Sequence, residues 1–310
     1  MKIRIITTLL ICLATALSAV PAQAITDAQR AQITAAAATG DTGALEQASK
    51  QVIEEAIANG EDPETVAADL ATTAVEAAAA VGQDTAAAAQ AASNGATSGA
   101  VSAAAANGQD TAAAAQAASS GATKGAVKGA ANTGQDTAAV AQAASNGATS
   151  GAVSAAIDSG IDHVSVAQAA SSGATAGAVI GAAETGQDTA AVAQAASSGA
   201  NTGAVTAAAA AGQDTGEVAQ AASNGAVSGA TQAAQDTGQD VAGIQEGANT
   251  GSSEGQQIGG VTETPAEPEA FEPADTPADV PSDDTPPVAD PSSPDIEPPP
   301  TQDDQNASPV

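Results

Sequence analysis

Glycines at a fixed interval constrain this sequence more than any other feature. Seven of them lie 26 residues apart, and six of the seven begin the tripeptide Gly-Gln-Asp. The seven are Gly82, Gly108, Gly134, Gly160, Gly186, Gly212 and Gly238. A fixed period of this length is typical of repeat architectures, in which each unit buries its apolar face against its neighbours. We therefore expect residues 82–260 to form one continuous array of seven repeats.

A second glycine lies 13 residues into each repeat, as Gly147 does in the third. Alanine is the best helix former, and glycine commonly ends a helix in the left-handed conformation. The spacing thus predicts two helices of about ten residues per repeat, too short to persist without neighbours. The first helices would be capped by Asp84, Asp110, Asp136, Asp162, Asp188, Asp214 and Asp240, and the second by Thr97, Thr123, Thr149, Thr175 and Asn201. The predicted fold is all-α, a solenoid-like array of short Ala/Gly-rich helical hairpins with a 26-residue repeat and a 13-residue half-repeat.

A second arrangement makes each repeat one helix of about 22 residues, in which a central Gly-x-x-x-Gly pair such as Gly95 and Gly99 packs closely on another helix. Residues 62–81 favour it, because they match a repeat at both ends but lack the central glycine. Two central glycines would cost an uninterrupted helix roughly 2 kcal/mol relative to alanine, which favours the hairpins. In both arrangements the large core residues are Val101, Val127, Val140, Val153, Val166, Val179, Val192, Val205 and Val218.

Residues 1–24 have the features of a removable export signal. Lys2 and Arg4 precede an apolar run, and Ala22-Gln23-Ala24 is a small-x-small cleavage site. The mature chain is expected to begin at Ile25, to contain no cysteine and to have no membrane span. The short, simple signal predicts a bacterial protein of the periplasm, the cell surface or the medium.

Two further segments flank the repeats. Residues 25–81 are predicted to form an N-terminal helical cap region, in which Asp62-Pro63 is a strong helix start. Its apolar residues follow a helical period: Leu45, Val52, Ile53, Ile57, Val66, Leu70 and Val75. Residues 261–310 hold 13 of the 15 prolines, 13 acids and no Lys or Arg. This composition predicts a disordered, acidic, Pro-rich tail.

Composition and isolated residues argue against several functions. The chain has 36 acidic and 6 basic side chains and a single aromatic residue, Phe271, so it offers nothing for binding nucleic acid. His163 is the only histidine and is a poor metal ligand alone, and one cap Asp per repeat does not gather the oxygens that calcium needs. Lys124 and Lys128 lie near serines, but nothing distinguishes a nucleophile. We expect no enzyme, and no catalytic, metal or cofactor site.

The expected function is an exported, non-enzymatic structural or interaction scaffold that presents a repetitive helical surface to an extracytoplasmic protein, a surface or another copy. The alternatives are a self-assembling extracellular matrix or amyloid-like component, and an ice-binding protein. The chain resembles alanine-rich antifreeze proteins in composition and in regularly placed threonine, without a shared diagnostic motif. Two features count against ice binding. The expected exposed column is mixed, with Ser98, Lys124, Ser150, Ala176, Thr202 and Ser228, and His163 interrupts the threonine column.

Overall fold

The computed structural model describes residues 25–260, and this part of the chain is helical throughout apart from short loops. The predictions for residues 1–24 and 261–310 lie outside the described residues. Ten helices follow one another: α1 Asp27–Thr39, α2 Thr42–Ala58, α3 Pro63–Ala80, α4 Thr85–Ala106, α5 Thr111–Thr133, α6 Thr137–Asp158, α7 His163–Thr185, α8 Thr189–Ala210, α9 Thr215–Thr237 and α10 Val241–Ile258.

The predicted helix starts are confirmed. Asp136 precedes α6, and its Oδ1 accepts hydrogen bonds from the backbone N–H groups of Ala138 and Ala139 at 3.0 and 3.1 Å. The corresponding Asp caps every helix from α4 to α10. Pro63 is the first residue of α3, after the cap Asp62. These starts depend on local chemistry alone, which explains why the sequence predicts them.

The predicted break at each central glycine is wrong. Helices α4 to α9 have 22 or 23 residues and run without interruption through the central glycine. Thr97, Thr123, Thr149, Thr175 and Asn201 are therefore not caps but lie buried in the middle of helices. The left-handed conformation occurs instead in the loops, as at Gly134 with φ of 69°. Each repeat forms one long helix, as in the second arrangement.

Each helix packs mainly against the helices two before and two after it in sequence. This pattern creates two layers, which we call the even layer (α2, α4, α6, α8 and α10) and the odd layer (α1, α3, α5, α7 and α9). Helices of one layer are parallel, because Gly147 of α6 lies against Gln90 of α4, and Gly151, one turn later, lies against Asn94. Contacts between the layers are fewer.

Glycine is required where neighbouring helices of one layer touch. A Cβ atom placed on Gly147 would overlap the carbonyl oxygen of Gln90, so no larger residue fits at this backbone separation. The same contact recurs along both layers, in the pairs Gly121 and Glu64, Gly173 and Gln116, Gly199 and Gln142, and Gly225 and Gln168. Such close approach brings many atoms into dispersion contact and permits Cα–H···O contacts, which offset the poor helix propensity of glycine.

Small apolar side chains fill the space between the layers. All nine valines named above are at most 1% exposed, which confirms their assignment to the core. In α2 and α3 the larger Leu45, Ile53 and Leu70 are buried as predicted, while Ile57 is only partly buried. Helix α3 has no glycine, so the N-terminal helices rely on larger side chains instead.

Hydroxyl groups are also buried in this core. Ser145 and Thr149 lie one turn apart on α6, both are fully buried, and neither hydroxyl has a hydrogen-bond partner. Equivalent pairs are Ser93 and Thr97, Ser119 and Thr123, and Ser171 and Thr175. In the eighth helix the pair becomes Ser197 and Asn201, and Ser223 of α9 donates to Asn201 Oδ1 at 2.8 Å. Burying a hydroxyl without a hydrogen-bond partner is unfavourable, so these residues offset part of the stabilising free energy of core packing.

Among the described helices, none combines the length and the apolarity that crossing a lipid bilayer requires.

Candidate interaction surfaces

The alternation of layers changes which residues form a surface column. Consecutive repeats point to opposite sides of the array, so residues on one face recur every second repeat. The predicted mixed column therefore divides in two: Ser98, Ser150 and Thr202 belong to the even layer, and Lys124, Ala176 and Ser228 belong to the odd layer. The column is also less exposed than expected, since Ser98 is buried and Ser150 is partly buried.

The two faces of the array differ in charge. Helices α4, α6 and α8 contain no Lys, Arg, His or Glu, and their one Asp is Asp158, the last residue of α6. We call the outer surface of these three helices the uncharged face. The odd helices α3, α5, α7 and α9 carry Glu64, Asp69, Glu76, Lys124, Lys128, Glu184, Glu217 and Asp236. In a chain of formal net charge −30, an uncharged face of three helices is a specific feature.

Pairs of hydroxyls one helical turn apart lie on the uncharged face. The pairs are Ser98 and Ser102 on α4, Ser150 and Ser154 on α6, and Thr202 and Thr206 on α8. The first member of each pair is held in place: the Ser150 hydroxyl accepts a hydrogen bond from Asn94 Nδ2 at 3.3 Å, and Thr202 Oγ1 donates to the Ser198 carbonyl at 2.9 Å. Ser154 and Thr206 are exposed. The second members, Ser102, Ser154 and Thr206, thus form one accessible row of hydroxyls across three parallel helices, whereas in the first row Ser98 is buried and Ser150 and Thr202 are partly buried.

Neutral amide side chains connect the helices of the uncharged face. Gln90 Nε2 on α4 donates to Asn146 Oδ1 on α6 at 3.1 Å. Gln142 Nε2 on α6 contacts the Ser198 hydroxyl on α8 at 3.5 Å. Hydrogen bonds between uncharged groups thus tie the surface together without adding charge to it.

The opposite face carries an ion cluster. Lys124 and Lys128 of α5 lie 2.8 and 3.0 Å from the carboxylate of Glu184 on α7. Burial opposes ionisation of Glu184, but hydrogen bonds and the charges of both lysines outweigh it, so the pKa of Glu184 lies below its ordinary value. Both lysines are thus engaged in an ion pair, an arrangement that does not provide a free amine beside a serine nucleophile.

His163 and the cap aspartates do not converge on one point. His163 is the first residue of α7 in the odd layer, so the threonines Thr85, Thr137 and Thr189 of the even layer form a column that it does not interrupt. Asp162, beside it, accepts hydrogen bonds from Ser165 and from the Val164 backbone, which hold the pKa of Asp162 below its ordinary value. Within residues 25–260, no three His, Cys, Asp or Glu side chains form a cluster suited to a metal ion.

A groove of about 610 Å³ lies between α9 and α10 at the C-terminal end of the array. Asn224, Ser228 and Gln232 line one wall, and Asn249 and Ser253 line the other. The next helix of the odd layer would pack here, since Asn224 occupies in α9 the position that Ser172 occupies in α7, where Gly229 docks. This mostly polar lining is unsuited to packing against another apolar helix.

Sequence reasoning missed the alternation of the layers, although a signal for it exists. Thr133, Thr185 and Thr237 precede the loop glycine in every second repeat, whereas Asn107, Ser159 and Ala211 occupy this position in the others. Thr133 Oγ1 donates to the Gly129 carbonyl at 2.8 Å at the end of α5. Helices of the odd layer thus end differently from those of the even layer, and the structural unit is a pair of helices.

Comparison with known proteins adds no family assignment: no protein-family model matches the chain, and no curated protein matches it.

Proposed function

We propose that this protein is an exported, non-enzymatic scaffold that presents a rigid and repetitive helical surface to a partner outside the cytoplasm. The observation that carries the proposal is the contact between glycine and backbone carbonyl, which recurs from repeat to repeat in both layers. Because backbones touch directly, the spacing of neighbouring helices does not depend on flexible side chains. Residues on the outer faces are therefore held at fixed intervals, which suits a surface that binds an extended partner.

The distribution of polar groups favours a scaffold over an enzyme. The uncharged face carries neutral amides and hydroxyls. On the odd layer, Lys124 and Lys128 form ion pairs with Glu184. The end groove is lined by Val227 and by Asn, Gln, Ser and Thr side chains, without a charged group. An active site usually combines a concave pocket with titratable groups of perturbed pKa, and this groove offers the concavity alone.

Export is supported by the signal-like residues 1–24 and by the start of α1. Ile25 is buried, and Thr26 caps α1 in a capping box with Gln29, at 3.2 Å from the Gln29 backbone N–H to the Thr26 hydroxyl. A mature chain that begins at Ile25 would keep this cap and the whole of α1. Cleavage after Ala24 is therefore compatible with the folded array.

Hydrogen exchange on the exported chain tests the proposal. We expect the protein in the periplasmic or medium fraction, with an intact mass that corresponds to a start at Ile25. Backbone amides from α4 to α9 should exchange slowly and uniformly, because opening one helix breaks contacts with both of its layer neighbours. Rapid exchange in these helices, or retention in the cytoplasm, would refute a rigid exported scaffold.

The alternative, a self-assembling matrix or amyloid-like component, makes a different prediction for the same preparation. It requires unpaired strand edges, or a self-complementary surface, through which copies of the chain add to a growing fibre. Sedimenting fibres with a β-rich circular dichroism spectrum would favour it over the scaffold. A soluble helical species at all concentrations would favour the scaffold.

A further inference from the structure

We infer that the uncharged face of α4, α6 and α8 adsorbs to ice. This inference rests on the proposed function, since it names the partner of the surface that the scaffold presents.

The charge pattern selects a neutral partner. The chain carries a formal charge of −30, yet the outer surface of three adjacent helices has no charged residue between the cap residues Asp84, Asp136 and Asp188 at one end and Asp158 at the other. The even helices at either side regain charges, with Glu46 and Lys50 on α2 and Glu246 and Glu254 on α10. A charged side chain pressed against a solid surface would have to lose its hydration shell at high cost. A face whose charges are confined to the helix ends avoids that cost over its central part.

The side chains of the uncharged face do not suit a protein or a polysaccharide. Energetic centres of protein interfaces are mostly Trp, Tyr and Arg, and none of these residue types occurs in α4, α6 or α8. The largest apolar side chain there, Ile157 near the end of α6, is partly buried and packs against the core. Base and sugar rings are usually held by aromatic side chains, which these helices also lack. The available groups are methyls, hydroxyls and amides.

Methyls and hydroxyls in a regular grid match a solid made of water. The ice surface is a neutral, repeating array of hydrogen-bond donors and acceptors, and hydroxyls such as Ser154 and Thr206 can donate to it and accept from it. Alanine methyls nearer the N-terminal ends of the same helices, such as those of Ala139 and Ala191, are exposed as well. Alanine and serine lose little rotamer entropy when they are immobilised, so ordering the surface costs little.

Rigidity and size support the same partner. Glycine-to-carbonyl contacts fix α4, α6 and α8 side by side, and the Gln90–Asn146 hydrogen bond fastens two of them on the outside. Helices of 22 residues are about 33 Å long, and three of them at the close spacing of about 8 Å make a face of about 800 Å². Each residue then needs to make only one weak contact with ice. Many such contacts across this area together hold the protein on the periodic ice surface.

Both features that counted against ice binding in the sequence concern the odd layer. Lys124 and Ala176 belong to α5 and α7, and His163 begins α7. On the even layer the corresponding columns are Ser98, Ser150 and Thr202, and Thr85, Thr137 and Thr189. Ser98 and Thr85 are buried, and the other four residues are partly exposed. The odd face therefore provides an internal control, with the same backbone and a charged surface.

Matched lysine variants of the full mature chain test the inference. One variant combines Gln142→Lys and Ser154→Lys on α6, at the centre of the uncharged face. The control combines Gln220→Lys and Gln232→Lys on α9, which occupy the same two repeat positions in the odd layer. All four side chains are exposed, so both proteins should fold, which helicity and melting verify. Inhibition of ice recrystallisation and partitioning into a growing ice front are then measured for both variants and the parent.

The parent and the α9 variant should inhibit recrystallisation at similar concentrations. The α6 variant should require at least about tenfold more protein, because its lysines must be desolvated at the ice surface. Added salt should not weaken adsorption of the parent, since no ion pair is involved.

Three results would overturn the inference. They are a parent that is excluded from ice, equal activity of the two variants, and a parent that forms a dimer in light scattering which the α6 variant alone abolishes. The last result would assign the uncharged face to a second copy of the chain. If any of these three results is found while α4 to α9 still exchange slowly, the ice inference fails and the scaffold proposal stands. Failure of the inference can thus be distinguished from failure of the proposed function.

Discussion

Gly147 of α6 and Gln90 of α4 are in direct backbone contact, because a Cβ atom at position 147 would overlap the Gln90 carbonyl oxygen. The two residues belong to repeats that are next-but-one in sequence, and this relationship defines a layer. It also assigns the glycine a role other than the one its spacing suggests. Gly147 lies within a helix and sets the distance to a neighbouring helix, whereas Gly134 takes a positive φ and ends one.

The first prediction concerns this contact. Gly147→Ala should destabilise the fold by about 3 kcal/mol or more, because the added methyl meets backbone that cannot move without shifting α4. Gly43→Ala is the control, since a Cβ there meets only Asp41 Oδ1 at 3.5 Å, an ordinary contact. Helix propensity alone should make that variant neutral or more stable by up to about 1 kcal/mol. Urea unfolding followed by circular dichroism measures both, and equal effects would contradict the assigned contact.

The second prediction concerns the unit of the array. Deletion of residues 134–185 removes α6 and α7 and joins Thr133 to Gly186, which recreates the native sequence Thr-Gly-Gln-Asp at the junction. Helix α8 then follows α5 and docks on α4 with Gly199 in place of Gly147. The shortened protein should keep its helicity per residue and its cooperative melting, with a somewhat lower melting temperature.

A 13-residue deletion provides the contrast. Removal of residues 134–146 joins Thr133 to Gly147 and discards the loop and the first half of α6. The remaining half of α6 has lost its cap Asp136 and is too short to pack along the whole length of α4. We therefore expect loss of cooperative melting, or aggregation. If both deletions melt alike, the layered arrangement is incorrect.

The sequence predicts the parts of this fold that depend on neighbours in the chain. Asp136 before a run of alanines, and Pro63 after Asp62, specify helix starts through local hydrogen bonding and fixed φ, and both are found where expected. Buried valines such as Val140 follow from size and spacing. These features require no knowledge of which helices become neighbours.

The role of the central glycines could not be predicted in the same way. Glycine both ends helices and permits close helix contacts, and the choice between these roles at Gly147 depends on α4, 57 residues earlier. Local propensity counts the cost of glycine in a helix but not the contact that offsets it. The surface columns depend on the same long-range arrangement, so the uncharged face emerges only once α4, α6 and α8 are known to lie side by side.

The third prediction concerns the buried hydroxyls. Ser145 is fully buried on α6 and its hydroxyl has no partner, so Ser145→Ala should leave stability unchanged or raise it by up to about 1 kcal/mol. Ser223 occupies the same repeat position on α9, but its hydroxyl donates to Asn201 Oδ1 at 2.8 Å and accepts from Gln256 Nε2 at 2.7 Å. Ser223→Ala should therefore cost about 1 kcal/mol. The measurement is the free energy of unfolding of each variant relative to the parent. An equal decrease for both variants would show that the Ser145 hydroxyl is hydrogen-bonded in solution.

The last prediction concerns pH and the ion cluster of the odd face. The pKa of folded Glu184 lies below its ordinary value of 4.5, so its ion pairs stabilise the fold above that pH, and the contribution disappears as pH falls through the lowered pKa. The Glu184 side chain is 38% exposed, so solvent screening limits this contribution to about 0.5–1 kcal/mol. Glu184→Gln should thus be less stable than the parent at neutral pH by that amount, with a difference that shrinks as the pH is lowered below 4.5.

The double variant Lys124→Met and Lys128→Met should lose the same pH-dependent part of the stability, and about 0.5 M salt should reduce that part in the parent. A difference between parent and Glu184→Gln that stays constant with pH in urea unfolding would show that Glu184 acts through packing rather than through its charge.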